Sequence, residues 1–490
     1  MIVLLTATAT SPVVGTIAPD EKGVRVVLPG SADEEYLRDI VRAGEGGERD
    51  RVPFTPLWGT DVLISDETQG YPIALAMDVA DDGDIFVAIA REVSGSEDVI
   101  QIMRSSDGRT WSQWRRFETR EVGTRGVDIA VGPGADPWVY LLVDVQGSSG
   151  EDLSLFRVRA SGSSPSWIPV VSGSTDTVLL PSISVNNDGV LALSYVSTSG
   201  EVYRGLSTDE GSTWDVLAAN SGVSYASIFM SENGRGYHAY VQNDTLIWIV
   251  TFDSPDLFAT YVRSIRIGGD TAYSVSVTAS DGTPSAQKVV AVYSNRHSSG
   301  NYTDVHWTYS TDGGENFQPD DVFPPDFGPS YPSGSEALYP YVHRDRNAIS
   351  FRFVFTYYDG GAWDTVFYSY SSSGTSGWGN YLPINEYRGT GSFGPRVDQC
   401  QPTGGGCVVY RGYASDSVWF DGYTFTAVEE TYNGNLPLIS VVNGGIKTTG
   451  KVLVYSTDGR LIASGSGYIE LRSGLYFVRS GKTTLKVIVR

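Results

Sequence analysis

The chain is predicted to be an all-β protein built from a repeated small sheet. Glycine fills 56 of the 490 positions and aromatic residues make up 12%, which is typical of short strands joined by tight turns. Helical patterns are few, and one turn pattern recurs at three places. A recurring turn indicates a recurring supersecondary unit, so the fold is expected to consist of copies of that unit.

Residues 1–50 are predicted to be a signal remnant and leader. Met1–Ala9 is a short apolar run ending in the small residues Ala7-Thr-Ala9, typical of the tail of a signal peptide, with an ordinary buried strand as the alternative. Ser31–Glu34 is a capping box followed by apolar residues at helical spacing, which predicts one short amphipathic helix over 32–43.

From about residue 57 the sequence becomes periodic, with an apolar strand, a turn rich in Asp, Asn and Gly, and a second apolar strand. This unit occurs seven times at intervals of 43 to 66 residues, about the length of a four-stranded sheet. The segment Leu57–Ser65 is predicted to complete the last sheet, which would remove an open edge. The seven first strands are expected at 73–79, 127–131, 182–185, 225–230, 273–278, 339–343 and 395–400.

The recurring turn combines a serine, an aspartate, a glycine and a closing aromatic residue. Serine and aspartate side chains hydrogen-bond to the turn backbone, glycine gives conformational freedom, and the aromatic ring anchors the turn by packing. The residues are Ser105, Asp107 and Trp111 in the short copy; Ser207, Asp209, Gly211 and Trp214 in the fullest; and Ser310, Asp312, Gly314 and Phe317 in the third.

These turns resemble the Asp-box, or bacterial neuraminidase repeat, of sialidase-like β-propellers. The resemblance implies a propeller over residues 51–435, with seven blades from the repeat count and six as the alternative if one repeat is an insertion. In that family the Asp-box joins the third and fourth strands of a blade, on the face away from the active site. It therefore implies architecture and leaves the chemistry open.

Residues 436–490 are predicted to form a small Ig-like β-sandwich of short strands around glycine-rich turns. Tyr455–Arg460, Gly474–Val478 and the terminal strand Thr484–Arg490 resemble the C-terminal sorting domain of type IX secretion substrates. That resemblance implies export to the exterior or outer surface of a Gram-negative bacterium, with the type IX machinery as a partner.

Charge and cysteine content narrow the function further. A net charge of −22 argues against a nucleic-acid partner, which needs basic patches. No stretch is apolar for long enough to form a transmembrane helix. Cys400 and Cys407 flank a glycine-rich turn, so a disulfide across a hairpin is predicted. The four histidines lack metal-ligand spacing, so neither a metal nor a cofactor is expected.

Candidate site residues lie where strands begin and where second strands end, because the ligand face of a propeller is built from those loops. They are Arg125, Arg296, His297, Glu336, Tyr357, Arg396, Arg411 and Tyr413. Sialidases of this fold use an arginine triad, a tyrosine–glutamate pair and an aspartate. Arg296, Arg396 and Arg411 could form the triad, with Tyr413 or Tyr357 as nucleophile, but the family's aromatic-Arg-Ile-Pro motif is absent before the first repeat.

The sequence therefore favours a secreted or surface module that binds a glycan or a protein without catalysis. The alternative is an exo-acting glycoside hydrolase, which would need a pair of carboxylates or a Tyr–Glu pair in the central funnel. Whether the protein is an enzyme is left open by the sequence.

Overall fold

The computed structural model describes part of the chain, which forms two compact units. One unit contains Thr60–Tyr423, and the other contains Met1–Gly59 with Thr424–Arg490. Among the described residues, no helix has the length and apolar character needed to cross a membrane. The described residues are 16–20, 23–27, 62–65, 70–93, 98–119, 126–147, 150–174, 178–266, 271–297, 301–323, 334–345, 350–358, 364–376, 378, 382–384, 395–400, 405–411, 417–422, 439–442, 445–455, 461–471, 474–480 and 483–489.

The unit that contains both chain ends begins with an antiparallel hairpin of β1 (Thr16–Asp20) and β2 (Gly23–Val27). The predicted signal remnant and the helix over 32–43 lie outside the described residues, and so does the boundary expected at residue 435. The predicted division into residues 1–50, 51–435 and 436–490 stays a prediction.

The described part of Thr60–Tyr423 contains seven successive up-and-down groups of strands. The fifth and sixth groups are joined into one eight-stranded sheet by a single parallel pair, Thr303 with Glu336, and the other five are separate four-stranded sheets. We number the groups as the first to the seventh sheet. The first three sheets contain β4 (Tyr71–Val79), β5 (Ile85–Glu92), β6 (Asp98–Ser105) and β7 (Ser112–Thr119); β8 (Val127–Val131), β9 (Trp138–Gly147), β10 (Gly150–Arg159) and β11 (Ser166–Ser174); and β12 (Val178–Val185), β13 (Leu191–Ser197), β14 (Val202–Ser207) and β15 (Asp215–Asn220). The strand β3 (Val62–Ser65) precedes them and belongs to the seventh sheet.

The remaining sheets keep the same up-and-down order. The fourth and fifth contain β16 (Val223–Met230), β17 (Arg235–Gln242), β18 (Leu246–Asp253) and β19 (Ala259–Arg266), then β20 (Thr271–Ala279), β21 (Val289–His297), β22 (Tyr302–Ser310) and β23 (Asp321–Phe323), with a 3-10 turn at Pro284–Ala286. The sixth and seventh contain β24 (Glu336–Arg344), β25 (Phe351–Tyr358), β26 (Asp364–Ser371) and β27 (Leu382–Pro383), then β28 (Arg396–Cys400), β29 (Gly405–Arg411) and β30 (Val418–Gly422).

The first strands of the sheets form a closed ring. Contacts run in succession from β4 through β8, β12, β16, β20 and β24 to β28, and β28 contacts β4. As the sequence predicted, β3 pairs with β30, so the seventh sheet takes one strand from before the first repeat. The all-β class is confirmed, and a ring of up-and-down sheets has the topology of a β-propeller.

Neighbouring sheets pack face to face through apolar side chains. Between the first and second sheets, Phe86, Ile102, Val131, Leu141 and Phe156 are buried in one cluster. Similar clusters join the second to the third sheet and the fourth to the fifth. Each such side chain contributes about 1.5–3 kcal/mol when fully buried, so the sheet-to-sheet interfaces are the main source of stability.

The three predicted Asp-boxes form the turn between the third and fourth strands in the first, third and fifth sheets. In each, the serine hydroxyl accepts a hydrogen bond of 2.9 Å from a glycine N–H, and the aspartate accepts one of 2.7–2.9 Å from a residue three or four positions later. The bond from Thr213 is the largest cause of the lowering of the Asp209 pKa to about 2. The glycines have φ of +71° to +88°, which requires glycine.

A fourth turn of this kind, in the sixth sheet, is absent from the sequence-based prediction. The hydroxyl of Ser371 accepts the N–H of Gly374 at 2.9 Å, and Ser373 stands where the aspartate would be. Trp378 closes the turn edge-on to Trp307, with ring centroids 5.8 Å apart. The serine-to-aromatic spacing matches that of Ser207 and Trp214, which is the signal that could have revealed it.

The C-terminal strands form one five-stranded sheet. It contains β31 (Ile439–Val442), β32 (Gly445–Tyr455), β33 (Leu461–Glu470), β34 (Gly474–Ser480) and β35 (Thr483–Val489). The long strand β32 pairs with β31, β33 and β34, and β35 pairs with β34. The predicted strands are therefore present, while the Ig-like sandwich stays a prediction.

The predicted disulfide between Cys400 and Cys407 stays a prediction. The pairing register sets Asp398 opposite Cys407 and Gly405 opposite Cys400, so the cysteines are diagonal and not directly opposite. Cys407 is buried, and its sulfur lies 3.7 Å from the carbonyl oxygen of Asp398.

Candidate functional site

Polar side chains on the first strands connect neighbouring sheets around the axis of the ring. One edge of each first strand pairs with the second strand of its own sheet. The N–H groups on the other edge, toward the axis, therefore need acceptors from another sheet. Asp398, Asp78 and Asp128 supply them, accepting the N–H of Val79 (2.8 Å), Val131 (2.5 Å) and Ile183 (2.8 Å), respectively. In each case the acceptor belongs to one sheet and the donor to the next.

Serine hydroxyls make the same connection elsewhere in the ring. Ser182 and Ser184 accept from the fourth sheet, at 3.3 Å and 3.0 Å, and Ser276 accepts from the sixth at 3.2 Å. We call these six hydrogen bonds the inter-sheet latches. They explain why carboxylates and hydroxyls interrupt strands that are otherwise apolar.

Five of the six latch acceptors line a cavity of about 70 Å³ beside the axis, which we call the axial channel; they are Asp78, Asp128, Ser182, Ser184 and Ser276. Removal from bulk water raises the pKa of Asp128 to about 6, although the guanidinium of Arg396 and hydrogen bonds from Ile183 and Ile129 act in the opposite direction. Asp398 lies 3.0 Å from Nε2 of His343. Burial lowers the pKa of His343, but the charge of Asp398 and its hydrogen bond raise it above its ordinary value.

Arg396 is the predicted site residue that lies at this axis. Its guanidinium lies 4.9 Å from the ring centroid of Tyr341 and interacts with the charge of Asp128. Burial raises the pKa of Tyr341 and of Tyr225, while the positive charge of Arg396 acts to lower both. A cation, a carboxylate and two phenols therefore converge where the predicted ligand face meets the channel.

Two other predicted arginines lie beside half-exposed tyrosines at the start of first strands. Arg411 lies 3.8 Å from the ring centroid of Tyr71 and donates a hydrogen bond to its hydroxyl. Arg296 donates to the hydroxyl of Tyr273 at 3.1 Å. Tyr71 is 39% and Tyr273 40% exposed. We call these two contacts the rim pairs.

The remaining predicted residues are dispersed. Glu336 begins β24 and interacts with the charge of Arg296. Tyr357 lies near the end of β25 with its ring against Phe367. His297 joins a polar cluster on the fifth sheet. Arg125 and Tyr413 lie outside the described residues.

Arg296, Arg396 and Arg411 each contact a different tyrosine, namely Tyr273, Tyr341 and Tyr71. The arginine triad that the sequence suggested, which would act by converging on one carboxylate, stays a prediction.

A bulge recurs near the start of the first strand in five of the sheets. Bulges redirect side chains, and here they lie at the end of the strands from which the predicted ligand face is built. In the third and sixth sheets the bulge contains Leu180 and Tyr339, whose φ values of +52° and +55° are rare for such residues. These two strained residues lie at the same end of the first strands as Tyr273 and Arg396.

The fifth sheet carries a cluster of histidines and carboxylates on its β21–β22 hairpin. Asp304 lies 2.9 Å from Nε2 of His297 and 3.1 Å from Nε2 of His306. The other ring nitrogen of His306 lies 3.0 Å from Asp320. Burial lowers the pKa of His306, but Asp304 and Asp320 together raise it to about 9.

Sequence reasoning missed the latch carboxylates and the partners of His297. The sequence does contain a signal for the latch carboxylates, since Asp78, Asp128 and Asp398 each interrupt an apolar strand that precedes a turn or another strand. The histidine cluster gives no comparable signal, because it depends on which residues face one another across the hairpin.

No protein-family model matches the chain, and no curated protein sequence matches it. An α-L-arabinanase of Penicillium chrysogenum has a TM-score of 0.45 at 14% identity, with 75% of this chain and 99% of that chain covered. A polysaccharide lyase, an ulvan lyase, has a TM-score of 0.48 at 10% identity, with 74% and 96% covered. A sialidase of Streptococcus pneumoniae has a TM-score of 0.40 at 12% identity, with 76% and 71% covered. Similarities this low carry no argument about function.

Proposed function

We propose that this chain is a secreted or cell-surface propeller of seven blades that binds an extracellular glycan without catalysis. The blade number is supported by seven consecutive up-and-down groups of strands, two of which share one eight-stranded sheet, and by the ring that their first strands close. The non-catalytic assignment rests on one observation: the carboxylates at the axis are already hydrogen-bonded to the backbone. Asp78, Asp128 and Asp398 each accept backbone N–H groups from the next sheet, which is a structural task.

Glycan binding is supported by the rim pairs. Exposed aromatic rings stack on the apolar faces of sugars, and a neighbouring guanidinium offers donors to hydroxyl and carboxylate oxygens. Tyr273 with the exposed Arg296 provides both groups side by side, whereas Tyr71 offers its ring beside an arginine, Arg411, that is itself buried. A protein ligand is the other outcome that the same surface allows.

A glycan array probed with the purified protein tests the proposal. Binding of a glycan should fall at least tenfold in Tyr273→Ala and in Arg296→Ala, because each removes one member of a rim pair. Phe258→Ala is the matched control, since Phe258 is 72% exposed but follows a third strand and so lies at the opposite end of its sheet. Equal loss in all three variants, or no glycan bound, would refute the proposal.

A second candidate is an exo-acting glycoside hydrolase. It is favoured by the convergence of Arg396, Tyr341 and Asp128, since a carboxyl with a pKa of about 6 can act as a general acid near neutral pH. Turnover of a fluorogenic sialoside that is abolished by Arg396→Ala would establish this candidate and displace the non-catalytic proposal.

Export through the type IX machinery is the last part of the proposal, and it is supported by the resemblance of residues 436–490 to a sorting domain. Deletion of these residues should trap the protein in the periplasm, as measured by cell fractionation. Unchanged secretion would contradict it.

A further inference from the structure

The hairpin of β21 and β22 gathers nitrogen and oxygen ligands on one face. The register pairs Asn295 with Asp304 and His297 with Tyr302, and Tyr293 is opposite His306. Since alternate residues of a strand point to the same face, Asn295 and His297 share a face with Asp304 and His306. The register therefore assembles two imidazoles, a carboxylate and a carboxamide from residues that are scattered in the sequence.

The ligand atoms are close enough to bind one ion. Nε2 of His297 lies 2.9 Å from Oδ2 of Asp304, and Nε2 of His306 lies 3.1 Å from Oδ1 of the same carboxylate. One ligand atom from each of the three residues lies within 4.8 Å of the others. Bonds of 2.0–2.2 Å to a zinc ion place ligand atoms about 3–4 Å apart, so small side-chain movements suffice.

The surroundings orient His306 as they do in metalloproteins. Nδ1 of His306 lies 3.0 Å from Asp320, and the hydroxyl of Tyr293 donates to the same Oδ2 atom at 2.6 Å. A carboxylate bonded to one ring nitrogen fixes the tautomer and directs the other nitrogen to the metal. Asp320 is therefore a positioning residue, and Tyr293 holds it in place.

Asn295 offers a fourth ligand. Its amide nitrogen lies 3.3 Å from Nε2 of both histidines, and the residue is only 2% exposed. Its Oδ1 is buried and accepts no hydrogen bond from any described residue. Rotation of the amide group by 180° would bring that oxygen to the two histidines. The ligand set would then consist of the two imidazole nitrogens, an oxygen of Asp304 and the Oδ1 of Asn295.

We propose that His297, Asp304 and His306 bind a divalent transition-metal cation, with zinc as the ion tested. Two imidazoles and one carboxylate suit zinc better than calcium or magnesium, which prefer oxygen ligands alone. The axial group of Asp78, His343 and Asp398 is a poorer candidate, because Asp78 and Asp398 already accept backbone N–H groups. The metal would lie near the end of β21, where His297 is the last residue, at the rim of the proposed glycan surface.

Zinc titration of the chelator-treated full chain against a fluorescent zinc indicator tests this site without any glycan. One zinc per chain is expected, and His297→Ala and His306→Ala should each weaken its Kd at least a hundredfold. Asp320→Asn should weaken it about 10–100-fold, as loss of an orienting carboxylate does. Asp321→Asn, which changes the exposed neighbouring carboxylate, is the matched control and should bind as the parent does.

Cobalt substitution adds a structural readout, since Co²⁺ bound to two imidazoles gives visible absorption bands that His297→Ala should abolish. If His306→Ala unfolds, as judged by circular dichroism, then His297→Ala decides, because His297 lies nearer the surface. Absence of zinc binding would overturn the proposal. So would loss of binding in His343→Gln with unchanged binding in His297→Ala.

Discussion

The buried carboxylates of the axial channel perform a structural task that costs free energy. Asp128 accepts the N–H groups of Ile183 and Ile129, yet burial raises its pKa to about 6 from an ordinary value of 3.8. The folded protein therefore holds a proton on Asp128 more tightly than the unfolded chain does. Above about pH 6, where Asp128 is ionised in the folded protein, its burial lowers the free energy of unfolding. This loss disappears as the pH falls from 6 toward 4, because the folded protein then holds Asp128 protonated.

Asp128→Asn keeps an acceptor oxygen and removes the charge, so its stability relative to the parent should depend on pH. The advantage of the variant should be largest above pH 6 and should shrink between pH 6 and pH 4. Urea unfolding at pH 4, 5, 6 and 7 measures the difference. Asp188→Asn, which removes one exposed turn carboxylate, controls for the change in net charge, and a pH-independent difference for Asp128→Asn would contradict the assignment.

At the scale of elements, the Asp-box turns connect neighbouring sheets as well as closing their own hairpins. Gly211, in the third sheet, has a φ of +81°, and a Cβ atom placed on it would lie 2.4 Å from Cδ2 of Leu155 in the second sheet. The glycine is therefore required both by its backbone conformation and by the approach of the adjacent sheet.

Gly211→Ala should cost more stability than Gly189→Ala, and the difference isolates the packing contribution. Gly189 has a φ of +76° in the same sheet, but only Glu210 Cγ, at 3.9 Å, lies near the added Cβ. The strained φ alone should cost about 1–2 kcal/mol, and overpacking should add about 1–3 kcal/mol for Gly211→Ala. Urea unfolding measures both, and equal losses would show that Leu155 moves aside freely.

Local elements could be predicted because their signals are contiguous in sequence. The hairpin turns, the three Asp-boxes and the closing strand β3 followed from turn residues and alternating apolar positions. The site could not, because its contacts join distant residues. The register of β21 with β22 sets His297 near His306, and ring closure brings Asp398 to Val79.

At the scale of the whole ring, β3 covers the outer edge of the seventh sheet. Ile64 is 4% exposed and packs in a cluster that joins the seventh sheet to the first. Without β3, the N–H and C=O groups of β30 that now pair with it would become an open edge, and open edges favour aggregation.

A chain that starts at residue 67 should therefore be less stable than one that starts at residue 51, which retains β3. Loss of the buried Ile64 side chain and of the strand pairing should cost about 3 kcal/mol or more. Thermal unfolding measures the loss, and size-exclusion chromatography detects association through the exposed edge. Equal melting temperatures of the two truncated chains would contradict the closing role of β3.

The hydrogen bond from Val79 to Asp398 joins residues that are 319 positions apart in the chain. Contacts of such high sequence separation are slow to form, because the entropy of closing a long loop must be overcome before the contact gives any stability. The ring cannot be completed until β30 has been synthesised and has found β3. Folding of this protein is therefore expected to be limited by the meeting of its two ends, and a partly folded chain would present an unpaired strand to its neighbours throughout that delay.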